Sequence, residues 1–126
     1  MKIKLLLRFY FFADGAESAI DNRILKLACS PCADAFEAAE SICGLISEKS
    51  ELSRLWRYLD GVIGSMPADD VERLEFYAGK RGGLTEEEKK SVKRAVMKFV
   101  RRARGAERFG GGIKLAGKYA CLLNRS

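Results

Sequence analysis

The sequence predicts an all-α protein, a single compact bundle of about five to seven short helices with a basic amphipathic helix on one flank. Apolar residues recur at spacings of three and four over most of the chain, which is typical of one face of a helix. Several of these stripes begin at capping residues, as in Thr85-x-x-Glu88. No useful length alternates apolar and polar residues with period two, so strands are not expected.

The opening segment, residues 1–12 (MKIKLLLRFYFF), is more typical of a helix than of a strand. Its four consecutive aromatics, residues 9–12, are too many for one helix face, and a less favoured hypothesis has some of them exposed and docking a partner or a second copy. A second helix is expected to end near Cys29, on a stripe formed by Ile20, Ile24 and Leu27.

Two proline signals divide the middle of the chain. Ser30-Pro31 predicts a new helix, since a capping hydroxyl precedes proline at the first helical position. Its stripe consists of Cys32, Ala35, Phe36, Ala39, Ile42, Cys43 and Ile46. A further helix is expected from Ser50, with an inward face of Leu52, Leu55, Trp56, Leu59 and Ile63. Pro67 then opens a short helix that Gly79 closes, and residues 80–83 form a loop.

The basic helix is predicted to run from Thr85 to about Arg104. Thr85 and Glu88 form a capping box, and three consecutive glutamates favour the positive end of the helix dipole. At 100° per residue, one side carries Val92, Ala95, Val96, Phe99 and Ala103. The opposite arc carries Lys90, Lys93, Arg94, Lys98, Arg101 and Arg104.

The end of the chain is predicted to dock on the core. Residues 110–112, three glycines, are expected to form a flexible break before a short final helix. Its inward residues are Ile113, Ala116, Tyr119, Ala120 and Leu123. Residues 112–119 nearly match a phosphate loop, but Tyr119 replaces the magnesium-binding hydroxyl and no strand precedes it, which argues against a nucleotide site.

Charge is divided unevenly within a single expected domain, residues 1–126. The acidic part, residues 1–79, has a balance of −4, and the basic part, residues 80–126, has a balance of +10, which together give the net charge of +6. Arg8 interrupts the apolar start and no cleavage site follows, so we expect no signal peptide. Four cysteines without a dense pattern fit a reducing compartment, and we expect a cytoplasmic protein.

The residue types argue against catalysis. The chain has no histidine, which removes the commonest general base and most mixed zinc sites. The Cys29-x-x-Cys32 pair is expected to be small and buried, with a metal or redox role as the less favoured alternatives. Carboxylate pairs such as Glu37 with Glu40 and Asp69 with Glu72 are interpreted as solvated surface. We therefore expect no enzyme activity, no cofactor and no metal.

The basic helix is the expected functional site. Between Glu88 and Glu107 there is no acidic residue, although a solvated helix normally pairs opposite charges. We expect nucleic acid, DNA or RNA, to contact Lys90, Lys93, Arg94, Lys98, Arg101, Arg102 and Arg104. Tyr77, Lys80 and Arg81 would extend the surface. The alternatives are a helical adaptor that docks an acidic protein partner, or that self-associates through the N-terminal aromatic segment, and a helix with no partner. A membrane surface is disfavoured because the apolar side lacks large side chains.

Residues 59–104 also carry a family likeness. The segment 66–79 (MPADDVERLEFYAG) and the basic segment from Ser91 to Arg104 resemble the C-terminal helix-turn-helix region of bacterial sigma factors. The family's central helix and tight turn are missing, and a glutamate cap stands where a recognition helix meets bases. The resemblance implies a transcription-associated module in which Lys93, Arg94, Arg101 and Arg102 face phosphates.

Overall fold

The structure, a computed structural model, describes residues 2–29, 35–79 and 83–122. In these ranges the chain forms six α-helices and no strand, which confirms the predicted all-α class. The helices are α1 (Ile3–Phe12), α2 (Asp14–Ala28), α3 (Ala35–Gly64), α4 (Ala68–Ala78), α5 (Glu86–Arg102) and α6 (Gly110–Lys118). Short 3₁₀ turns follow α5 and α6, at Arg104–Phe109 and Ala120–Leu122.

The long helix α3 is the centre of the bundle. Its 30 residues span about 45 Å, and α1, α2, α5 and α6 all pack against it. The prediction of a separate helix beginning at Ser50 is wrong. One side of α3 carries the buried residues Leu45, Leu52, Leu55 and Leu59, which follow the helical period without interruption. Both halves of α3 therefore pack against the same core. The predicted restart at residues 30–32 lies outside the described residues.

The stripe predicted for the first half of α3 is not the side that packs. Leu45, which lies outside that stripe, is buried, whereas Ala39, Cys43 and Ile46 are exposed. The predicted stripe is a regular apolar row, but it lies on the outer side of the helix. Local spacing identifies such a row without showing which side another helix will cover.

The core brings α1 onto α3 and α4. Its largest fully buried side chains are Leu6, Leu7, Phe9, Ile20, Leu55, Leu59, Ile63, Leu74 and Phe99. The remaining aromatics of α1 are half-buried, so the predicted exposed aromatic surface does not form. Tyr10 stacks on Trp56 with ring centroids 5.2 Å apart, and the Trp56 Nε1–H donates to the Tyr10 carbonyl at 2.9 Å. Trp56, predicted on the inward face, is half-buried and packs against the edge of the core.

The Tyr10 side chain also ties α1 to the end of α3. Its hydroxyl donates to Asp60 Oδ1 at 2.7 Å. Burial, and then the hydrogen bond to the Asp60 carboxylate, raises the pKa of Tyr10 to about 12. The hydroxyl consequently keeps its proton at every pH at which the fold is expected to persist.

The helix termini near α4 mostly follow the sequence prediction. Helix α4 begins directly after Pro67 and ends at Ala78, and the Gly79 N–H donates to the Glu75 carbonyl at 3.0 Å. Gly79 keeps right-handed backbone angles, so it is a simple end point and not a left-handed glycine cap. In the described part of this region, Gly83 has left-handed backbone angles, at φ +83°. The rest of the predicted loop, residues 80–82, lies outside the described residues.

The glycines 110–112 do not form a flexible break. They begin α6, which packs along α3, and Gly112 is buried at that contact. A Cβ atom at Gly112 would lie 3.0 Å from the Leu55 Cβ and 3.1 Å from the Glu51 carbonyl oxygen. The close approach of two helix backbones therefore explains the glycine better than flexibility does.

Helix α6 is further held to α3 through Glu48. The Glu48 carboxylate accepts a hydrogen bond from Lys118 Nζ at 2.9 Å and one from the Tyr119 hydroxyl at 3.2 Å. Ala116 and Tyr119 are buried as predicted, and Leu123 lies outside the described residues. None of the helices in the described ranges is long and apolar enough to cross a membrane.

Replacing Gly112 with alanine should lower the free energy of unfolding by about 1–3 kcal/mol, since the new methyl group meets backbone as well as a side chain. The matched control is Gly110→Ala, where a Cβ has no neighbour within 4 Å and φ is −53°. That control should be neutral or stabilising by up to about 1 kcal/mol. Urea denaturation measures both; equal effects of the two substitutions would contradict the close α3–α6 contact.

Candidate nucleic-acid interface

Helix α5 begins at the predicted capping residue. Thr85 Oγ1 accepts a hydrogen bond from the Glu88 N–H at 3.2 Å and donates one to Glu88 Oε1 at 3.1 Å. Glu86, Glu87 and Glu88 fill the first turn, where the helix dipole favours negative charge. The helix ends at Arg102, slightly before the predicted end, because the chain turns at Ala103 into the 3₁₀ segment.

The apolar side of α5 packs as predicted. Ala95, Phe99 and Ala103 are fully buried, and Val92 and Val96 are half-buried. Two of the three buried residues are alanines, so the helix approaches α4 and α3 closely around the single large side chain of Phe99. This packing fixes the rotation of the helix about its axis, and thereby the direction of its charged side chains.

Most of the predicted cations lie on the exposed side of α5. Lys90, Lys93, Arg94, Arg101 and Arg104 are exposed, and none makes an ion pair with any carboxylate in the described ranges. We call these five residues the open cations. A shallow depression of about 430 Å³ runs along this face, lined by Lys90, Lys93, Arg94, Met97, Lys98 and Arg101.

Two of the predicted phosphate contacts already have partners within the protein. Lys98 Nζ lies 3.0 Å from Asp70 Oδ2, although its side chain remains about half exposed. The Arg102 guanidinium donates to the Ser65 carbonyl at 2.8 Å and to Ser65 Oγ at 2.9 Å. Arg102 thus binds the end of α3, where a cation complements the terminal carbonyls. The seven predicted residues therefore separate into five open cations and two that also hold the fold together.

Asp70 is the functional neighbour that the sequence analysis missed. Its carboxylate, in a residue only 5% exposed, bonds Lys98 of α5 and also accepts from Arg73 at 3.3 Å. The hydrogen bond from Lys98 holds the pKa of Asp70 below its usual range, against the opposing effect of burial. A sequence signal for this position exists. Asp70 precedes the buried residues Leu74 and Ala78 by four and eight positions, and this helical spacing places its carboxylate on the inner side of α4.

The opposite end of α5 has the opposite charge. A groove of about 630 Å³ lies between α4 and the first turns of α5. Among the described residues, its acidic lining residues are Asp69, Glu72, Glu75, Glu87 and Glu88, and its basic lining residue is Arg73. Asp69 and Glu72 are exposed as predicted. Helix α5 therefore has negative charge around its first turn and positive charge from Lys90 onward. An anion is repelled from the start of the helix and attracted to its later turns.

Met97 is the second feature that sequence reasoning did not single out. It is 48% exposed and lines the same depression as the cations. Its position three residues after Arg94 and four before Arg101 places it on the exposed side, which the helical period alone would have indicated. An apolar side chain therefore stands among the positive charges.

The predicted extension of this surface is placed only in part. Tyr77 is half-buried, and Lys4 Nζ lies over its ring at 5.1 Å from the centroid. Lys80 and Arg81 lie outside the described residues. Cys29, Cys43 and Cys121 are exposed, so the expectation that Cys29 is buried is wrong; Cys32 also lies outside the described residues.

Comparisons with protein-family models, with curated proteins and with solved structures found no match. The likeness of residues 59–104 to sigma factors accordingly stays a prediction. The candidate interface is therefore defined by its geometry alone. It is an exposed cationic face on a helix whose apolar side is buried in the core.

The substitution Asp70→Asn should lower the free energy of unfolding at neutral pH by about 1–2 kcal/mol, because it removes a charged hydrogen bond to a half-exposed lysine. The folded-state pKa of Asp70 is lowered, so its contribution is complete above the unfolded value of about 3.9 and is lost as pH falls through the folded value. The difference between wild type and variant should therefore shrink at low pH.

The matched control is Asp69→Asn, which removes the same charge from the same first turn of α4 at an exposed position. Thermal unfolding from neutral to acidic pH measures all three proteins. A control as destabilised as Asp70→Asn would show that helix-dipole effects, and not the bond to Lys98, account for the loss.

Proposed function

We propose that the protein is a small, non-catalytic nucleic-acid-associated protein that contacts backbone phosphates through the exposed face of α5. One observation carries this proposal: four of the open cations share one side of the packed helix α5, and the fifth, Arg104, is exposed just beyond its end. None of the five has an ion-pair partner in the described part of the chain. Like charges on a helix face oppose its folding, so an external anion is the interaction that would offset the repulsion.

The dimensions of the face suit a nucleic-acid backbone. From Lys90 to Arg101 the helix rises about 17 Å, which is enough to contact several phosphates along one groove edge. Arginine supplies paired hydrogen bonds to phosphate oxygens, and lysine supplies a compact charge. Lys98 adds a sixth contact, since an ammonium group has three donors and Asp70 uses one of them.

Contacts of this kind position a protein without reading sequence. Phosphate contacts carry no base information, and the end of α5 that would enter a groove first begins with three glutamates. We therefore propose sequence-independent binding. A role related to transcription rests on the likeness to sigma factors and is the finer part of the proposal.

The second candidate is a helical adaptor that docks an acidic partner protein on the same face. The exposed side chain of Met97 favours it, because methionine among charges is typical of surfaces that accommodate varied protein partners. The two candidates differ in their ligands. The adaptor predicts no binding to duplex DNA or single-stranded RNA at 50 mM salt, where phosphate binding is strong.

Binding to a short duplex should depend steeply on salt. If four to six phosphates are neutralised, the log–log slope of the association constant against salt concentration should be roughly −4 to −5. Fluorescence anisotropy with duplex DNA and with single-stranded RNA, each between 50 and 200 mM salt, measures the slope. A flat profile would exclude phosphate binding as the source of affinity.

The double substitution Arg94→Gln with Arg101→Gln should reduce the magnitude of that slope by about 2 and weaken binding at least tenfold at low salt. The control, Arg23→Gln with Lys26→Gln, removes the same net charge from exposed positions on α2. The control should retain the wild-type slope. Equal losses in both proteins would mean that net charge, and not the α5 face, governs binding.

A further inference from the structure

A second exposed surface is formed by the hairpin of α2 and α3, helices that precede the cationic helix α5 in the sequence. Four large apolar side chains are exposed in the described ranges, and three of them belong to this hairpin: Leu25 at 61%, Phe36 at 71% and Ile46 at 54%. The fourth is Met97. Apolar side chains that cluster in this way, and are not scattered singly, mark an interaction surface.

The register of the hairpin places two of these residues, Leu25 and Ile46, side by side. Helices α2 and α3 are packed neighbours joined by a short connection, so they run antiparallel. Lys49 Nζ bonds Asp21 Oδ1 at 2.8 Å and fixes their relative level. Leu25 comes one turn after Asp21, and Ile46 comes one turn before Lys49, so the two exposed side chains lie at the same level of the hairpin.

The exposed row continues along α3 with the spacing of a coiled-coil seam. Phe36, Ala39, Cys43 and Ile46 are separated by three, four and three residues, and all four are exposed. A core-facing surface helix carries a wider stripe, whereas this narrow three–four repeat is typical of a helix that pairs with another helix. None of the four carries a charge.

We propose that this face, defined by Leu25, Phe36, Ala39, Cys43 and Ile46, binds the same face of a second copy, with the two α3 helices antiparallel. The order of side-chain size along the row is large, small, small, large. In a twofold antiparallel pair, Phe36 therefore meets Ile46 of the other copy, and Ala39 meets Cys43 of the other copy. Such self-complementarity is what an isologous interface requires.

The size of the face fits a weak dimer. The first four turns of α3 are about 22 Å long, and two adjacent helices are about 20 Å wide. Pairing would cover on the order of 500 Å² on each copy, or about 1,000 Å² in total, which is near the lower limit for a specific interface. The dimer is therefore expected to form at micromolar concentrations and above.

Sedimentation equilibrium of the full chain tests the proposal. The wild type should show a concentration-dependent dimer, and Ile46→Glu should raise the dimer dissociation constant at least tenfold. The matched control is Met97→Glu, which introduces the same charge at a comparably exposed apolar position on α5. Circular dichroism checks that both variants stay folded. A monomer at every concentration, or a dimer that Ile46→Glu leaves intact, would overturn the proposal.

Cross-linking tests the antiparallel arrangement. In this pairing the two Cys43 residues are offset by four residues, or about 6 Å, along the helix axes. With the axes about 8–10 Å apart, their Cα atoms lie roughly 10–12 Å from each other. A short bis-maleimide should therefore link two chains that retain only Cys43, made by Cys29→Ser, Cys32→Ser and Cys121→Ser. A chain that retains only Cys121, also exposed, is the control. Equal cross-linking of the two proteins, or none at Cys43, would refute this arrangement.

Discussion

Burial of a narrow stripe on α5 determines the direction of every charge on that helix. Phe99 is fully buried between two buried alanines, Ala95 and Ala103, and burying a phenylalanine contributes about 1.5–3 kcal/mol. The helix cannot rotate without exposing this side chain. Because the cations occupy the opposite arc, the same packing that stabilises α5 presents them to solvent together. The cationic face is thus a consequence of core packing, and both the fold around α4 and the proposed function depend on it.

In the described ranges, two cations of the basic helix bond to neighbouring helices, and a third, Lys89, lies 3.5 Å from Glu86 Oε1 within the helix itself. Asp70 bonds Lys98 beside α4, and the end of α3 at Ser65 binds Arg102. The contacts of Lys98 and Arg102 fasten α5 to neighbouring helices while leaving the open cations exposed. The acidic groove at the start of α5 adds a second constraint, because it repels an anion from that end. A nucleic-acid backbone would therefore meet α5 along its later turns, and base reading by its first turn is not expected.

Local chemistry made α5 predictable. A threonine cap, a glutamate three residues later and one apolar arc are all properties of a single segment, and the structure places each as predicted. Contacts between distant segments were not predictable in the same way. The continuity of α3 depends on helices that pack beside it, and the glycine at position 112 of α6 is explained by the close approach of α3. Asp70 and Lys98 are 28 residues apart in the sequence. The acidic residues close to the basic helix in the sequence therefore gave no indication of this ion pair.

The most direct test is a nuclear magnetic resonance titration of the isotope-labelled protein with a short duplex at low salt. The account predicts chemical-shift changes concentrated at the amides and guanidinium groups from Lys90 to Arg104, with the amides of Glu86 to Glu88 nearly unchanged. Amides of the α2–α3 hairpin should also stay unchanged. Changes centred on the acidic groove or the hairpin, or none at low salt, would contradict the claim that the later turns of α5 are the anion-binding surface.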